Sequence, residues 1–141
     1  MEHIAKNLED TERIAIEIVE SLKGGEVLAL QGDLVDGKTT LTQFIAKDLG
    51  VTEIVNSPTF VIMKIYDCDN DIIKKLVHID AYRIKNDQEL ITIGATEYFG
   101  APNTLTIIEW PENIKRILPQ SSIQINITNQ DKETRLINVK K

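Results

Sequence analysis

Apolar residues fall into two kinds of pattern along this chain. Ile14, Ile18 and Leu22 recur at every fourth position, with Ala15 and Val19 beside them. That spacing predicts an amphipathic helix over residues 10–22, with Asp10 and Thr11 as candidate caps and Gly24 and Gly25 as its stop. Glu26-Val27-Leu28-Ala29-Leu30-Gln31 is instead a short continuous apolar run, the mark of a strand buried on both faces. A glycine-flanked loop follows, and residues 39–49 read as a helix ending at Gly50. Residues 60–66 and 72–79 are β-rich runs joined by Asp67-Cys68-Asp69-Asn70-Asp71, which predicts an antiparallel hairpin. Helical turns around Gly94 are expected over 87–99. A second buried strand is predicted over 105–108, then a short helix over 112–118. Residues 122–128 and 134–139 alternate about Asn129-Gln130-Asp131-Lys132, a terminal hairpin. Strand–helix units mixed with hairpins predict a three-layer α/β domain with a mixed, partly antiparallel sheet.

Composition narrows the class. The 141 residues contain no repeat, no low-complexity tract and no Pro-, Gly- or Ser-rich linker, so residues 1–141 read as a single domain. Sixteen Lys+Arg against 22 Asp+Glu give a net charge of −6, which argues against gripping nucleic acid by bulk charge. Cys68 is the one cysteine, so no internal disulfide forms and a reducing compartment is expected. No apolar run approaches the ~20 residues of a membrane span. Met1-Glu2-His3 opens with an acid rather than a signal-peptide start. A cytoplasmic protein without a membrane contact is the expectation.

Candidate chemistry begins between the first predicted strand and the second predicted helix. Gly32-Asp33-Leu34-Val35-Asp36-Gly37-Lys38-Thr39 satisfies the phosphate-loop pattern G-x-x-x-x-G-K-[ST]. Glycines allow the backbone to turn and bring N–H groups to a polyphosphate. The helix N-terminus adds a partial positive charge. Lys38 supplies a full charge to the outer phosphates, and the Thr39 hydroxyl is a ligand for Mg²⁺. Given 7 Gly, 12 Lys and 16 Ser+Thr in the chain, a chance match has a probability of about 0.3%. The motif is therefore read as functional, and an ordinary strand–turn–helix joint with a surface lysine is the minor alternative.

Such a loop needs a carboxylate at the end of a neighbouring strand. Asp80 follows Val77-His78-Ile79, and Glu109 follows Leu105-Thr106-Ile107-Ile108. Either one at a strand's C-terminal end would face the crevice where open α/β sheets bind ligands. Ser57-Pro58-Thr59 fits two readings, a switch that senses the terminal phosphate and a plain start to a strand. His78 alone is more often a core histidine than a catalyst. Trp110, the only tryptophan, adjoins Glu109.

The combined segments resemble one family. Gly32-Asp33-Leu34 with Gly37-Lys38-Thr39-Thr40, Ser57-Pro58-Thr59-Phe60, His78-Ile79-Asp80-Ala81-Tyr82-Arg83 and Ile108-Glu109-Trp110-Pro111-Glu112 occur in the order and spacing of the TsaE (YjeE) family. Gly94 with Glu97 resembles its G-x-x-E segment, and Glu9-Asp10-Thr11 its N-terminal E-x-T. Val35 and Asp36 stand where the family loop has Gly and Ala. The resemblance implies a P-loop NTPase-like fold and a small bacterial ATPase with weak intrinsic activity. That ATPase serves threonylcarbamoyladenosine formation in tRNAs reading codons that begin with A. It implies ATP or ADP on residues 32–40, Mg²⁺ held by Thr39 and Glu109, and Asp80 assisting metal or water. It also implies Thr11 and Trp110 beside the nucleotide and a switch-like Ser57-Pro58-Thr59. The implied partner is a TsaB–TsaD type complex, with tRNA met only through it. A nucleotide-binding regulatory module with little hydrolysis is the alternative, as is a small-molecule kinase. The kinase is disfavoured because Arg13, Arg83, Arg116 and Arg135 form no cluster in sequence.

Overall fold

Three runs that are buried at nearly every position become the centre of one sheet. In the computed structural model these are β2 (Val27–Gln31), β4 (Lys75–Asp80) and β5 (Thr104–Glu109). The structure describes residues 1–32, 35–56 and 62–141, with Val35 and Asp36 described by backbone alone. The expectations placed on Asp33, Leu34, Ser57, Pro58 and Thr59 lie outside the described residues, as do those on the Val35 and Asp36 side chains.

β5 pairs in parallel with β2 on one side and with β4 on the other. β6 (Ile123–Asn129) extends the parallel set beside β2. Antiparallel strands flank it: β3 (Met63–Asp67) on β4, β7 (Arg135–Lys140) on β6, and β1 (Glu2–Ala5) on β7. The seven strands run in the order β1-β7-β6-β2-β5-β4-β3. The sheet is thus mixed, as the sequence predicts, and both hairpins are present.

Alternation along the strands builds two cores. Leu28, Leu30, Leu76, Leu105 and Ile107 point to one face. There they pack on α1 (Leu8–Glu20) through Ile14 and Ile18, and on α2 (Val35–Asp48) through Leu41 and Ile45. Val27, Val77, Ile79 and Ile108 point to the other face. They meet Leu90 of α3 (Gln88–Thr92), Ala95 of the 3₁₀ helix Ala95–Tyr98, and Ile114 of the 3₁₀ helix Pro111–Ile117. This gives three layers. The second covering layer lies over the β2–β5–β4 region, because on β6 only Ile123, Ile125 and Ile127 are buried and the alternate positions are polar.

Several boundaries depart from the sequence expectation, and β4 starts at Lys75 rather than at residue 72. α1 starts earlier than residue 10: Asn7 is its cap, with extended backbone and its side-chain oxygen accepting from the Asp10 N–H at 2.9 Å. Asp10 instead sits in the first turn and accepts from the Lys6 N–H at 2.9 Å. α2 starts at Val35 rather than Thr39, so Gly37 and Lys38 are helical. β1 is unpredicted, since four residues of which Ala5 alone is buried carry almost no pattern.

Candidate functional site

Parallel pairing brings three strand ends together. Leu30 of β2 pairs with Glu109 of β5, and Asp80 of β4 pairs with the same Glu109. Beyond β2 the chain passes through Gly32, where a Cβ would overlap the Ile127 carbonyl oxygen of β6. That close approach of two backbones requires glycine. α2 then begins directly above the strand ends.

Glu109 shares a face with Leu105 and Ile107, the face on which α2 packs. It is 1% exposed, more enclosed than a carboxylate open to a crevice. Its Oε2 lies 2.6 Å from His78 Nε2, and His78 is fully buried too. The pairing is a consequence of register, since His78 sits opposite Ile107, two residues before Glu109 and on the same face. Asp80 is 8% exposed, and its Oδ1 accepts from the Tyr82 N–H at 3.0 Å. Asn113 of the second 3₁₀ helix donates to the Ala81 carbonyl at 2.8 Å, tying the segment after β5 to that after β4.

The phosphate-loop lysine reaches this corner. Lys38 is fully buried, and its Nζ lies 3.7 Å from the centre of the Trp110 ring. Trp110 has left-handed backbone (φ 59°) and starts the 3₁₀ helix Pro111–Ile117. Its ring also packs on Tyr82, with centroids 5.0 Å apart at 51°. Thr39 and Thr40 are half-buried in the next positions of α2.

Thr11, 2% exposed in α1, lines a cleft of about 500 Å³ with Asn7, Leu8, Glu9, Lys132, Glu133 and Arg135. This cleft borders the start of α2: Arg135 Nη1 lies 3.6 Å from where a Cβ on Gly37 would stand. Nη1 is buried and has no hydrogen-bond partner among the described residues. Arg135 counted in the sequence only as one of four scattered arginines. No spacing signals it, because it opens β7 and reaches the loop only through the sheet.

Among the described residues, no three His, Cys, Asp or Glu side chains converge as a metal cage. Asp80 and Glu109 are two carboxylates in register at neighbouring strand ends, and Thr39 is a hydroxyl residue near the start of α2. Oxygen donors of this hard kind are the type that Mg²⁺ takes, together with waters and phosphate oxygens.

The fold and this site together define a three-layer α/β protein of phosphate-loop type. A family model described as "Threonylcarbamoyl adenosine biosynthesis protein TsaE" matches residues 5–137, and the chain belongs to the TsaE family. The TsaE protein of Bacillus subtilis is 42% identical over 131 residues, covering 93% of this chain and 79% of its own. That of Rickettsia typhi is 33% identical over 140 residues, covering 99% and 94%. The crystal structure of Bacillus subtilis YdiB superposes with a TM-score of 0.80 at 35% identity, over 99% of this chain and 83% of that one.

Proposed function

We propose that this protein binds ATP and ADP with Mg²⁺ and hydrolyses ATP slowly, in the service of threonylcarbamoyladenosine formation on tRNA. The observation that carries this is the contact between the Lys38 ammonium and Trp110, the residue after Glu109. It joins the phosphate-loop motif to the strand-end carboxylates. Lys38 carries the positive charge that the outer phosphates need, and the backbone N–H groups of the motif Gly32–Thr39 with Thr40 would serve the phosphates around it. Thr39 and Glu109 are the residues that would hold Mg²⁺, and Asp80 would hold metal or orient the attacking water. The metal, when bound, would neutralise charge building on the transferred phosphoryl group. Thr11, Lys132 and Arg135 line the cleft offered to the rest of the nucleotide. Ser57-Pro58-Thr59 would respond to the terminal phosphate.

The pathway role rests on family membership. The working partner is proposed to be a TsaB–TsaD type complex that carries the tRNA, with ATP turnover stimulated by docking. The test has two parts. Calorimetry should show Mg²⁺-dependent ADP binding that is lost in Lys38→Ala. Turnover should rise when the partner pair is added. Unchanged affinity in Lys38→Ala would refute nucleotide binding at this loop. Stable partner binding with no turnover would favour the regulatory module instead.

A further inference from the structure

We infer that His78 is a positioning residue for the metal site, acting through Glu109; the inference rests on the reading of Glu109 as a Mg²⁺ ligand. Glu109 is almost wholly enclosed, and a carboxylate taken out of water needs hydrogen-bond donors. Among the described residues, its side chain has one such partner, His78 Nε2 at 2.6 Å on Oε2. Oε1 receives no hydrogen bond from any described residue. One carboxylate oxygen is thus held from the β4 side, and the other is left for a cation. The imidazole is locked on β4 by complete burial and by the register that places it diagonally from Glu109. His78 Nδ1, by contrast, is buried with no partner among the described residues. Among the described residues, the ring's one hydrogen-bonding contact is therefore that to Glu109, which is what a residue that aims a metal ligand requires. A histidine kept only to fill the core would gain nothing from a buried, polar ring edge left unpaired.

The arrangement makes a specific demand. A carboxylate held on one side gives up less freedom on binding metal than one that must first be ordered. Removing the donor should weaken Mg²⁺ binding without touching the contacts that hold the phosphates. Loss of such an outer partner typically costs about 10–100-fold in metal affinity.

The experiment is calorimetric titration of ADP into the full-length protein, first with a chelator and then across a Mg²⁺ series. Wild type, Glu109→Gln, His78→Met and His78→Gln are compared. His78→Met should keep the metal-free ADP affinity yet need about tenfold more Mg²⁺, or beyond, to reach the same tightening. His78→Gln, whose side-chain amide nitrogen can stand near the ring Nε2, should restore most of it. A wild-type Mg²⁺ midpoint in His78→Met overturns the inference while leaving the nucleotide reading intact. If wild type itself shows no Mg²⁺ effect on ADP binding, or Glu109→Gln retains the full effect, the metal assignment of Glu109 falls instead. Nitrogen-15 NMR of the wild-type ring decides the matter should His78→Met fail to fold. A proton on Nε2, with its resonance shifting when Mg²⁺ is added to the ADP complex, supports the inference. A ring with Nε2 unprotonated overturns it.

Discussion

Lys38 is an ammonium with no exposed surface, resting on an indole face 3.7 Å away. Taking a charge out of water is costly, and an aromatic face returns about 2 kcal/mol when the pair is desolvated. Trp110 holds its place by the Tyr82 contact and by a left-handed backbone that starts the following 3₁₀ helix. Trp110→Leu should therefore destabilise the nucleotide-free protein by about 2–3 kcal/mol, from lost cation–π and ring–ring terms together. Trp110→Phe should lose less, since a smaller face remains. Urea unfolding followed by circular dichroism measures both, and equal losses in the two variants would show that the lysine gains nothing from the ring. The residue types of this corner were legible in sequence, because Gly37-Lys38-Thr39 and Glu109-Trp110 are compact motifs. Their mutual contact was not, since it depends on parallel register between strands far apart in the chain. His78 illustrates the same limit: its position was plain, but its partner is set by a diagonal across two strands.

At the scale of elements, helix starts were the hardest to read. Asp10 looked like a cap for α1, yet Asn7 takes that place and Asp10 works from within the first turn. Both are good capping types, and only the extended backbone at Asn7 separates them. α2 begins at Val35 with Gly37 inside it, since a glycine weakens a helix by about 1 kcal/mol without forbidding it. The central buried strands leave a clearer mark in sequence, whereas the edge strand β1 leaves almost none. Burial on both faces leaves an apolar run that needs no partner to recognise, as in β2 and β5. The start of α1 also carries a pH dependence. The Lys6 backbone N–H, and then the Arg13 guanidinium, hold the Asp10 carboxyl below its ordinary value. A depressed folded-state value stabilises above the unfolded value and is lost as pH falls through the folded one. The stability advantage of wild type over Asp10→Asn should therefore be constant near neutral pH and shrink as pH falls through and below the ordinary carboxylate range. Denaturant unfolding across that range checks it, and an advantage that grows in acid would contradict the assignment.

On the scale of the whole molecule, the proposed site draws on three regions of different legibility. The parallel centre supplies the strand-end carboxylates and carries the phosphate loop, and its motifs announced themselves. α1 supplies Thr11, which only the family resemblance marked. β7 supplies Arg135, which nothing in the sequence marked, because its nearness to Gly37 follows from the strand order β7-β6-β2. Lys132 and Arg135 share a cleft beside the start of α2, with Glu9 and Glu133 on its walls, on a chain whose net charge is −6. Local positive charge of that kind suits a phosphorylated small molecule. It does not suit a polyanion, which needs many lysines and arginines spread over a surface to release its counterions. The protein by itself should therefore bind tRNA more weakly than about 10⁻⁴ M at physiological salt, outside the usual range for non-specific nucleic-acid binding. Fluorescence anisotropy with labelled tRNA tests this. Micromolar binding by the isolated chain, weakening steeply with added salt, would mean that a cationic surface acts despite the acidic balance. In that case tRNA would be met directly, and the proposed dependence on a tRNA-carrying partner would lose its physical basis.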